Sequence, residues 1–226
     1  MNQQPGSTMA SIFADLSVKD LFPTPIWLAD VDPDLAARLN PELETAIKEL
    51  IEPRPQIPIG STWQTAPVLH RHERFGEFCG LVRKAGAAAI AFLDLKHRDF
   101  EITGCWANIN PTGGLNSPHT HPNNFLSGVY YVSLPANSGH IVFADPRPQA
   151  AGILPPAENW NKYVGNEIKL EVKEGRMVIF PAWLVHSVPV NRSAEERISI
   201  SFNLMFKDFT ESVSKPLWSG SAPIRR

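Results

Sequence analysis

The chain has 226 residues, of which 43% are hydrophobic, and its 21 basic and 23 acidic side chains give a formal charge of −2. This length and hydrophobic content predict one domain with a sizeable core. The balanced charge argues against a nucleic-acid partner and against strong attraction to an anionic membrane surface. Two cysteines are too few for a disulfide framework, and no apolar stretch is long enough to span a membrane, so we expect a reduced cytoplasmic protein.

The hydrophobic pattern divides the chain into helices followed by β-structure. Residues 1–20 are predicted to be a flexible N-terminal segment, and residues 21–226 a single domain. Within that domain, helical support is expected over 32–96 and a β core over 98–207.

The helical part is preceded by a predicted edge strand. Two prolines flank apolar residues in "LFPTPIWLAD", which favours an edge position because proline cannot donate a ladder hydrogen bond. Asp32 is the expected N-cap of the apolar spacing that follows, which indicates one helix or a pair broken at Pro41. Residues 73–95 predict a second helix, whose apolar face includes Phe78 and Phe92.

From residue 98 onwards the pattern changes to alternating or continuous apolar runs separated by turn residues. Five stretches predict strands: "FEITGCWANINP", "FLSGVYYVSL", "GHIVFADP", "EIKLEVKEGRMVIFP" and "RISISFNLMF". A Pro- and Asn-rich excursion, residues 146–166, separates the third stretch from the fourth. Long loops of this composition are typical of lids and binding loops.

Two histidines stand one residue apart just ahead of "FLSGVYYVSL". Residues i and i+2 of a strand point to one face with Cβ atoms roughly 6–7 Å apart, so His119 and His121 can bind the same metal ion. A third ligand must come from a neighbouring strand, and His186 is the leading candidate because it ends an apolar strand. Two near ligands and one distant ligand are typical of a metal site at the mouth of a β-barrel, with coordination positions left open.

The last predicted strand has one polar face. Arg197, Ser199 and Ser201 alternate with apolar residues, so their face is expected to line the barrel interior. A buried guanidinium without an anion is costly, and its planar fork matches a carboxylate, so Arg197 indicates an anionic ligand such as a dicarboxylate. Tyr130 and Tyr131 point to opposite faces of their strand, and one of them is expected to donate a phenolic hydrogen bond to that anion.

These motifs, in this order, resemble the double-stranded β-helix of 2-oxoglutarate- and Fe(II)-dependent oxygenases. The spacing from Gly113-Gly114 to the first histidine is similar to that of prolyl 4-hydroxylases. More closely, six segments together resemble a family of 2-oxoglutarate/Fe(II) oxygenases from bacteria and phages whose members are mostly uncharacterised: "LFPTPIW", "TWQT", "HTHPNNFLSGVYYV", "FADPR", "FPAWLVHSVPVN" and "RISISFN". The resemblance extends over residues 21–207.

The resemblance implies a fold and a cosubstrate site. The implied fold class is α+β, mainly β, with a double-stranded β-helix (jelly-roll or cupin-like) core flanked by N-terminal helices. Arg197, with Ser199 two residues on, matches the pair that holds the far carboxylate of 2-oxoglutarate, and Tyr131 or Tyr130 would assist.

The resemblance also implies an iron site. His119 matches the first metal-binding histidine and His186 the distal one, whereas His121 stands where most of the superfamily has Asp or Glu. With these three histidines as ligands and catalytic residues, the implied activity is that of an Fe(II)- and 2-oxoglutarate-dependent dioxygenase. Such an enzyme uses O2, decarboxylates 2-oxoglutarate to succinate and most commonly hydroxylates its substrate, which the sequence does not identify.

Two other classes of protein stay open. One is a three-histidine metal dioxygenase or zinc site of the cupin type that does not use 2-oxoglutarate. The other is a non-catalytic β-barrel binding module. Arg197 on the inner face argues against the first of these, and the oligomeric state, a dimer included, is open as well.

The remaining histidines and carboxylates have structural interpretations. His70 and His72 also stand one residue apart, but they lead into a helix, where such residues point to nearly opposite sides, so we expect a solvated helix start. His140 has apolar neighbours in sequence, which indicates a structural role. Asp145 precedes a proline and is expected to cap a turn rather than to complete a metal site.

Overall fold

The structure is a computed structural model that describes residues 15–207 except 97, 148, 150 and 151. The helices that lie wholly within these described residues are Pro33–Ile51 (α1), Gly76–Phe92 (α2) and two short 3-10 helices, Leu69–Arg71 and Glu73–Phe75. The strands of the described residues are Trp27–Asp30 (β1), Trp63–Gln64 (β2), Phe100–Asn110 (β3), Asn116–His119 (β4), Leu126–Ser133 (β5), Val142–Ala144 (β6), Glu167–Lys169 (β7), Arg176–Pro181 (β8), His186–Val188 (β9) and Arg197–Phe206 (β10).

Helix α1 is continuous. The carboxylate of Asp32 accepts hydrogen bonds from the backbone N–H groups of Asp34 and Leu35, at 3.1 Å each, and so caps the helix as predicted. Pro41 lies inside the helix without dividing it, so the alternative of a broken pair is wrong. The buried face of the helix is Leu39, Leu43, Ala46, Ile47 and Ile51.

Helix α2 is shorter than the predicted span of 73–95, because its first residues form a 3-10 turn. Phe78 is buried as predicted. Phe92 was expected on the same face but is 69% exposed, because it lies at the last turn and meets Trp27 edge-on at the protein surface. At Gly86 the helix approaches the sheet so closely that a Cβ atom would lie 2.7 Å from Leu204 Cδ1.

The larger sheet has six strands in the order β1-β8-β5-β10-β3-β2, and β1 lies at its edge as predicted. Its named strand pairs are antiparallel. The apolar residues of β10, among them Ile198, Ile200 and Phe202, face the helices and form the main core with them. The opposite face of β10 is therefore turned away from the helices.

The smaller sheet has four antiparallel strands in the order β4-β9-β6-β7. A second apolar cluster, which includes Tyr131 and Phe180 from the larger sheet and Phe143 from the smaller one, lies between the two sheets. The stretch 167–181, predicted as one strand, is split between the sheets as β7 and β8, because Gly175 turns the chain with a φ of 75°. Among the described residues neither helix has the length and apolar character that a membrane crossing requires.

Candidate functional site

Three histidines converge at the edge of the smaller sheet. His119 ends β4 and pairs directly with His186, the first residue of β9. His121 lies just beyond β4, where its backbone N–H donates to the carbonyl of Ala182 at 2.9 Å. One ring nitrogen from each histidine lies within 4.8 Å of the others, and in the part of the chain that the structure describes no other group of His, Cys, Asp or Glu is so arranged for a metal ion.

Backbone carbonyls fix the rings of two of these histidines. His119 Nδ1 lies 2.7 Å from the carbonyl oxygen of Ser117, and His186 Nδ1 lies 2.9 Å from that of Leu184. A carbonyl oxygen only accepts, so each Nδ1 carries the hydrogen and each Nε2 keeps its lone pair. Histidine ligands of metal sites are oriented in this way.

The third ring is held differently. His121 Nε2 lies 3.3 Å from His186 Nε2, and its ring packs against Trp106 with centroids 5.6 Å apart. Burial, reinforced by the nearby His119, lowers the pKa of His121 to about 4. Burial also lowers the pKa of His186 to about 4. Both imidazoles are therefore neutral near pH 7, which is the form that binds a metal.

A second, cationic part of the site is built around Arg197, which is 1% exposed. Its Nη1 donates to Asn110 Oδ1 and to Ser199 Oγ, both at 3.2 Å, whereas Nε and Nη2 are buried without a hydrogen-bond partner. Burial lowers the pKa of this guanidinium, but arginine stays charged in proteins. Buried polar atoms are almost always satisfied, so these two N–H groups indicate an anionic ligand.

Tyr131 lies beside Arg197, with the guanidinium carbon 5.1 Å from the centre of its ring. Its hydroxyl is also buried without a partner. Burial, opposed by Arg197, raises the pKa of this phenol to about 12, so it is a neutral donor at physiological pH. The phenol oxygen and the two unpartnered guanidinium nitrogens together offer three donor atoms to one anion.

The histidines and the Arg197 region line one cavity between the two sheets. Its lining consists of Gln64, Trp106, Asn108, Asn116, His119, His121, Gly128, Val129, Tyr131, Ile141, Phe180, His186, Val188, Arg197, Ser199 and Ser201. A metal at the three imidazoles and an anion at Arg197 would thus lie in the same cavity. The imidazole nitrogens suit a metal ion, and the unpartnered donors of Arg197 and Tyr131 suit an anion.

Tyr130 is not part of this cavity, which corrects its assignment to the cosubstrate site. Its hydroxyl donates to Asn40 Oδ1 at 2.7 Å, and its ring lies 5.4 Å from that of Phe78 in the core beneath the helices. The sequence identified two tyrosines on opposite faces of one strand, and the structure turns Tyr131 inward.

Trp106, Asn108 and Gln64 also line the cavity, and none of them is among the residues that the sequence predicted for the site. Asn108 donates to Ser201 Oγ at 3.0 Å and accepts from Gln64 Nε2 at 2.8 Å. The available signal was the period-two spacing of Trp106, Asn108 and Asn110 along β3, which matches the polar face of the neighbouring β10.

The other titratable candidates lie outside the three-histidine group. Asp145 accepts from the backbone N–H of Arg147 at 2.9 Å and pairs with its guanidinium, so it caps a turn as predicted. His72 Nδ1 accepts from the backbone N–H of Arg74 where the second 3-10 helix begins. His140 Nδ1 accepts from the backbone N–H of Val172 at 3.1 Å, which is a structural role.

Comparison with known families confirms the resemblance seen in the sequence. Residues 104–203 match the model of the family described as "Putative 2OG-Fe(II) oxygenase". The match spans β3 to β10 and contains the three histidines, Arg197, Ser199 and Tyr131. Comparison with curated protein sequences gives no significant match.

Solved structures with a similar fold include three oxygenases or related enzymes. The non-heme α-ketoglutarate-dependent epimerase SnoN from nogalamycin biosynthesis is 14% identical, with 81% of this chain and 79% of that chain covered and a TM-score of 0.59. HygX from Streptomyces hygroscopicus, solved with nickel and 2-oxoglutarate bound, is 10% identical, with coverages of 81% and 83% and a TM-score of 0.54. A Pseudomonas putida prolyl-4-hydroxylase is 16% identical, with coverages of 80% and 93% and a TM-score of 0.53. At these identities the likeness establishes the fold.

Proposed function

We infer the function from one premise, that over residues 104–203 this chain is a member of the 2OG-Fe(II) oxygenase family. The protein is an Fe(II)- and 2-oxoglutarate-dependent oxygenase that oxidises a further substrate, by hydroxylation, while 2-oxoglutarate is decarboxylated to succinate. The strongest support for this function is one cavity that is lined both by three convergent imidazoles and by Arg197, a buried arginine with two nitrogens that have no hydrogen-bond partner.

His119, His121 and His186 hold the iron in this proposal. Two of the rings are already fixed with Nε2 directed away from their carbonyl partners, and the apoprotein keeps the buried imidazoles neutral. When bound, the iron supplies the redox chemistry with O2, and the protein supplies orientation and exclusion of water. His121 takes the place that Asp or Glu has in most of the superfamily.

Arg197, Ser199 and Tyr131 hold 2-oxoglutarate. The two free N–H groups of Arg197 donate to the far carboxylate as a bidentate pair, and the Tyr131 hydroxyl donates to the same group. Ser199 fixes the guanidinium through Nη1 and leaves the other nitrogens free. The opposite end of the cosubstrate is thereby directed toward the histidines along the cavity.

We also assign the antiparallel sheets, with the site between them, to the double-stranded β-helix fold. The six- and four-stranded sheets and the cavity-facing polar stripe of β10 support this assignment, as does the likeness to SnoN and HygX. Residues 21–226 would form this single domain, with α1 and α2 packed on the outer face of the larger sheet.

Replacing Tyr131 with phenylalanine should weaken 2-oxoglutarate binding roughly tenfold, because one hydrogen bond to a charged group contributes about 1.5–3 kcal/mol. Metal affinity should not change. Tyr130→Phe is the matched control: it should leave 2-oxoglutarate binding intact and lower the free energy of unfolding by roughly 1 kcal/mol, because Asn40 Oδ1 loses its donor. Calorimetric titration of the metal-loaded proteins and chemical denaturation separate the two effects, and equal cosubstrate affinities for both variants would exclude Tyr131.

We propose that Trp106 positions the ring of His121. His119 and His186 are each oriented by a backbone carbonyl, whereas the ring of His121 packs against that of Trp106. Trp106→Ala should reduce Co(II) affinity by roughly tenfold, the size of effect seen when a partner that orients a ligand is lost. Trp106→Phe keeps an aromatic face and should retain affinity. The Co(II) visible spectrum should broaden in the alanine variant only, and identical spectra and affinities in the two variants would show that the contact is incidental.

A three-histidine dioxygenase that does not use 2-oxoglutarate is the second candidate, favoured by the absence of a carboxylate from the described metal group. The unpartnered N–H groups of Arg197 favour the first candidate. Succinate formation from 2-oxoglutarate, measured with Fe(II) and ascorbate in the absence of a prime substrate, distinguishes the two. No succinate above the metal-free control would support the second.

A further inference from the structure

The charged groups of the cavity do not balance. Among its described lining residues there is no aspartate or glutamate, and the charged side chain is Arg197. Under the proposed function, on which this inference rests, the site also receives Fe(II) and 2-oxoglutarate. Fe(II) has a charge of +2, Arg197 of +1 and 2-oxoglutarate of −2, so the net charge of the loaded site would be +1.

Within the described part of the chain, no carboxylate lines the cavity to cancel this charge. The candidate is Asp145, which does not line the cavity but follows Ala144, whose backbone N–H donates to Val185, the residue before His186. However, both carboxylate oxygens of Asp145 are engaged by Arg147, so that pair is neutral as a whole. An Asp or Glu at position 121 would supply the missing charge, but the residue there is His121, and an imidazole binds a metal in its neutral form and so adds no negative charge.

The excess charge becomes costly when the site closes. His119 is exposed, so in the open cavity water solvates the metal side of the site. A substrate that covers this opening removes that water, and a charge buried without compensation is strongly unfavourable. A substrate with its own negative charge avoids this cost, because it supplies the compensation as it displaces the water.

We propose that the prime substrate is an acid, and that it places a carboxylate or phosphate group beside the three histidines. Its anionic group takes over the charge that Asp or Glu supplies elsewhere in the superfamily. A neutral substrate of the same shape would bind more weakly, because it would cover the same opening without compensating the charge.

The adjoining cleft has the same sign of charge. It shares Asn116 and Val188 with the cavity, and it is lined by His140, Lys169 and Arg192 and by no described acidic residue. Lys169 and Arg192 form no salt bridge within the described ranges. A cleft lined by one sign of charge raises the local concentration of the opposite ions, so it favours anions at this end of the molecule.

The test uses the full chain loaded with Co(II) and 2-oxoglutarate, in which the visible spectrum of Co(II) reports on its surroundings. The absorption spectrum is recorded first on adding Co(II) and then on adding 2-oxoglutarate. These two steps test the proposed function alone. Acetate, acetamide, inorganic phosphate and chloride are then titrated into that complex. Acetate and acetamide have nearly the same shape and differ in charge.

Acetate or phosphate should change the spectrum of the wild-type complex, and acetamide should not at the same concentration. In His121→Asp the affinity for acetate should fall by at least about tenfold, because a unit negative charge is added within a few ångströms of the anion. Aspartate is also a metal ligand, and Asp or Glu occupies this position in most of the superfamily, so the comparison with wild type changes the charge of the ligand set rather than the number of its ligands.

Three results would overturn the proposal. Equal affinity for acetate and acetamide would show that charge is irrelevant, and so would equal acetate affinity in wild type and His121→Asp. Preference for chloride over acetate and phosphate would assign the missing charge to an inorganic ion rather than to the substrate. A wild-type complex that never forms contradicts the proposed function instead.

Discussion

Arg197→Met is expected to abolish 2-oxoglutarate binding and to leave metal binding intact. Two charge-assisted hydrogen bonds to the far carboxylate are lost, each contributing about 1.5–3 kcal/mol, which corresponds to a loss of affinity of roughly 100-fold or more. Calorimetric titration of the Co(II)-loaded variant with 2-oxoglutarate measures this loss. Arg98→Met is the control, because Arg98 pairs with Asp94 at the protein surface, neither residue lines the cavity, and its loss should leave cosubstrate affinity unchanged.

The same substitution should not destabilise the apoprotein. In the apoprotein Arg197 is buried with two unsatisfied N–H groups, so an apolar side chain of similar length removes an unfavourable burial along with two hydrogen bonds. Thermal unfolding in the absence of 2-oxoglutarate should give a Tm equal to or above that of the wild type. Retained 2-oxoglutarate affinity in a folded variant would remove Arg197 from the cosubstrate site.

His186→Ala is expected to abolish metal binding. His186 is buried, its Nδ1–H is fixed by the Leu184 carbonyl, and it brings the distant strand β9 to the ligand set. Loss of one of three protein ligands should lower Co(II) affinity by roughly 100-fold or more, given the large free energies of metal binding by such sites. Metal titration by visible absorption measures the change.

His140→Ala is the matched control for that prediction. His140 lies on the neighbouring segment, and its ring accepts a backbone N–H rather than facing the other histidines. Its loss should leave Co(II) affinity within about threefold of the wild type, since the ligand set and its partners stay in place. Equal losses in the two variants would mean that folding, and not ligation, explains the result.

The β core was predictable because strand periodicity is a short-range property of the sequence. The predicted stretch "RISISFNLMF" coincides with β10, and its alternation correctly separated Ile198 and Ile200 in the core from Arg197 and Ser199 in the cavity. The spacing argument brought His119 and His121 together, although His121 approaches from a loop rather than from a strand. His186 was predicted from its place at the end of an apolar strand, and it joins the other two as the first residue of the next strand, β9.

The remaining features depend on three-dimensional neighbours that the sequence does not reveal. The choice between Tyr130 and Tyr131 required knowing which face of β5 the helices cover. The contact between Trp106 and His121 joins β3 to a loop beyond β4, and no local pattern encodes it. Likewise, only the register of β10 against β3 places Asn110 beside Arg197, where it accepts from Nη1 and leaves the other nitrogens free.

The most direct test of the account is anaerobic addition of Fe(II) and 2-oxoglutarate to the apoprotein, followed by visible absorption. A charge-transfer band should appear when both are present and with neither alone, because the band requires the cosubstrate to chelate the bound iron. The band should be missing from Arg197→Met and from His186→Ala, and retained in the Arg98→Met and His140→Ala controls. Absence of the band from the wild-type protein at saturating Fe(II) and 2-oxoglutarate would contradict the account.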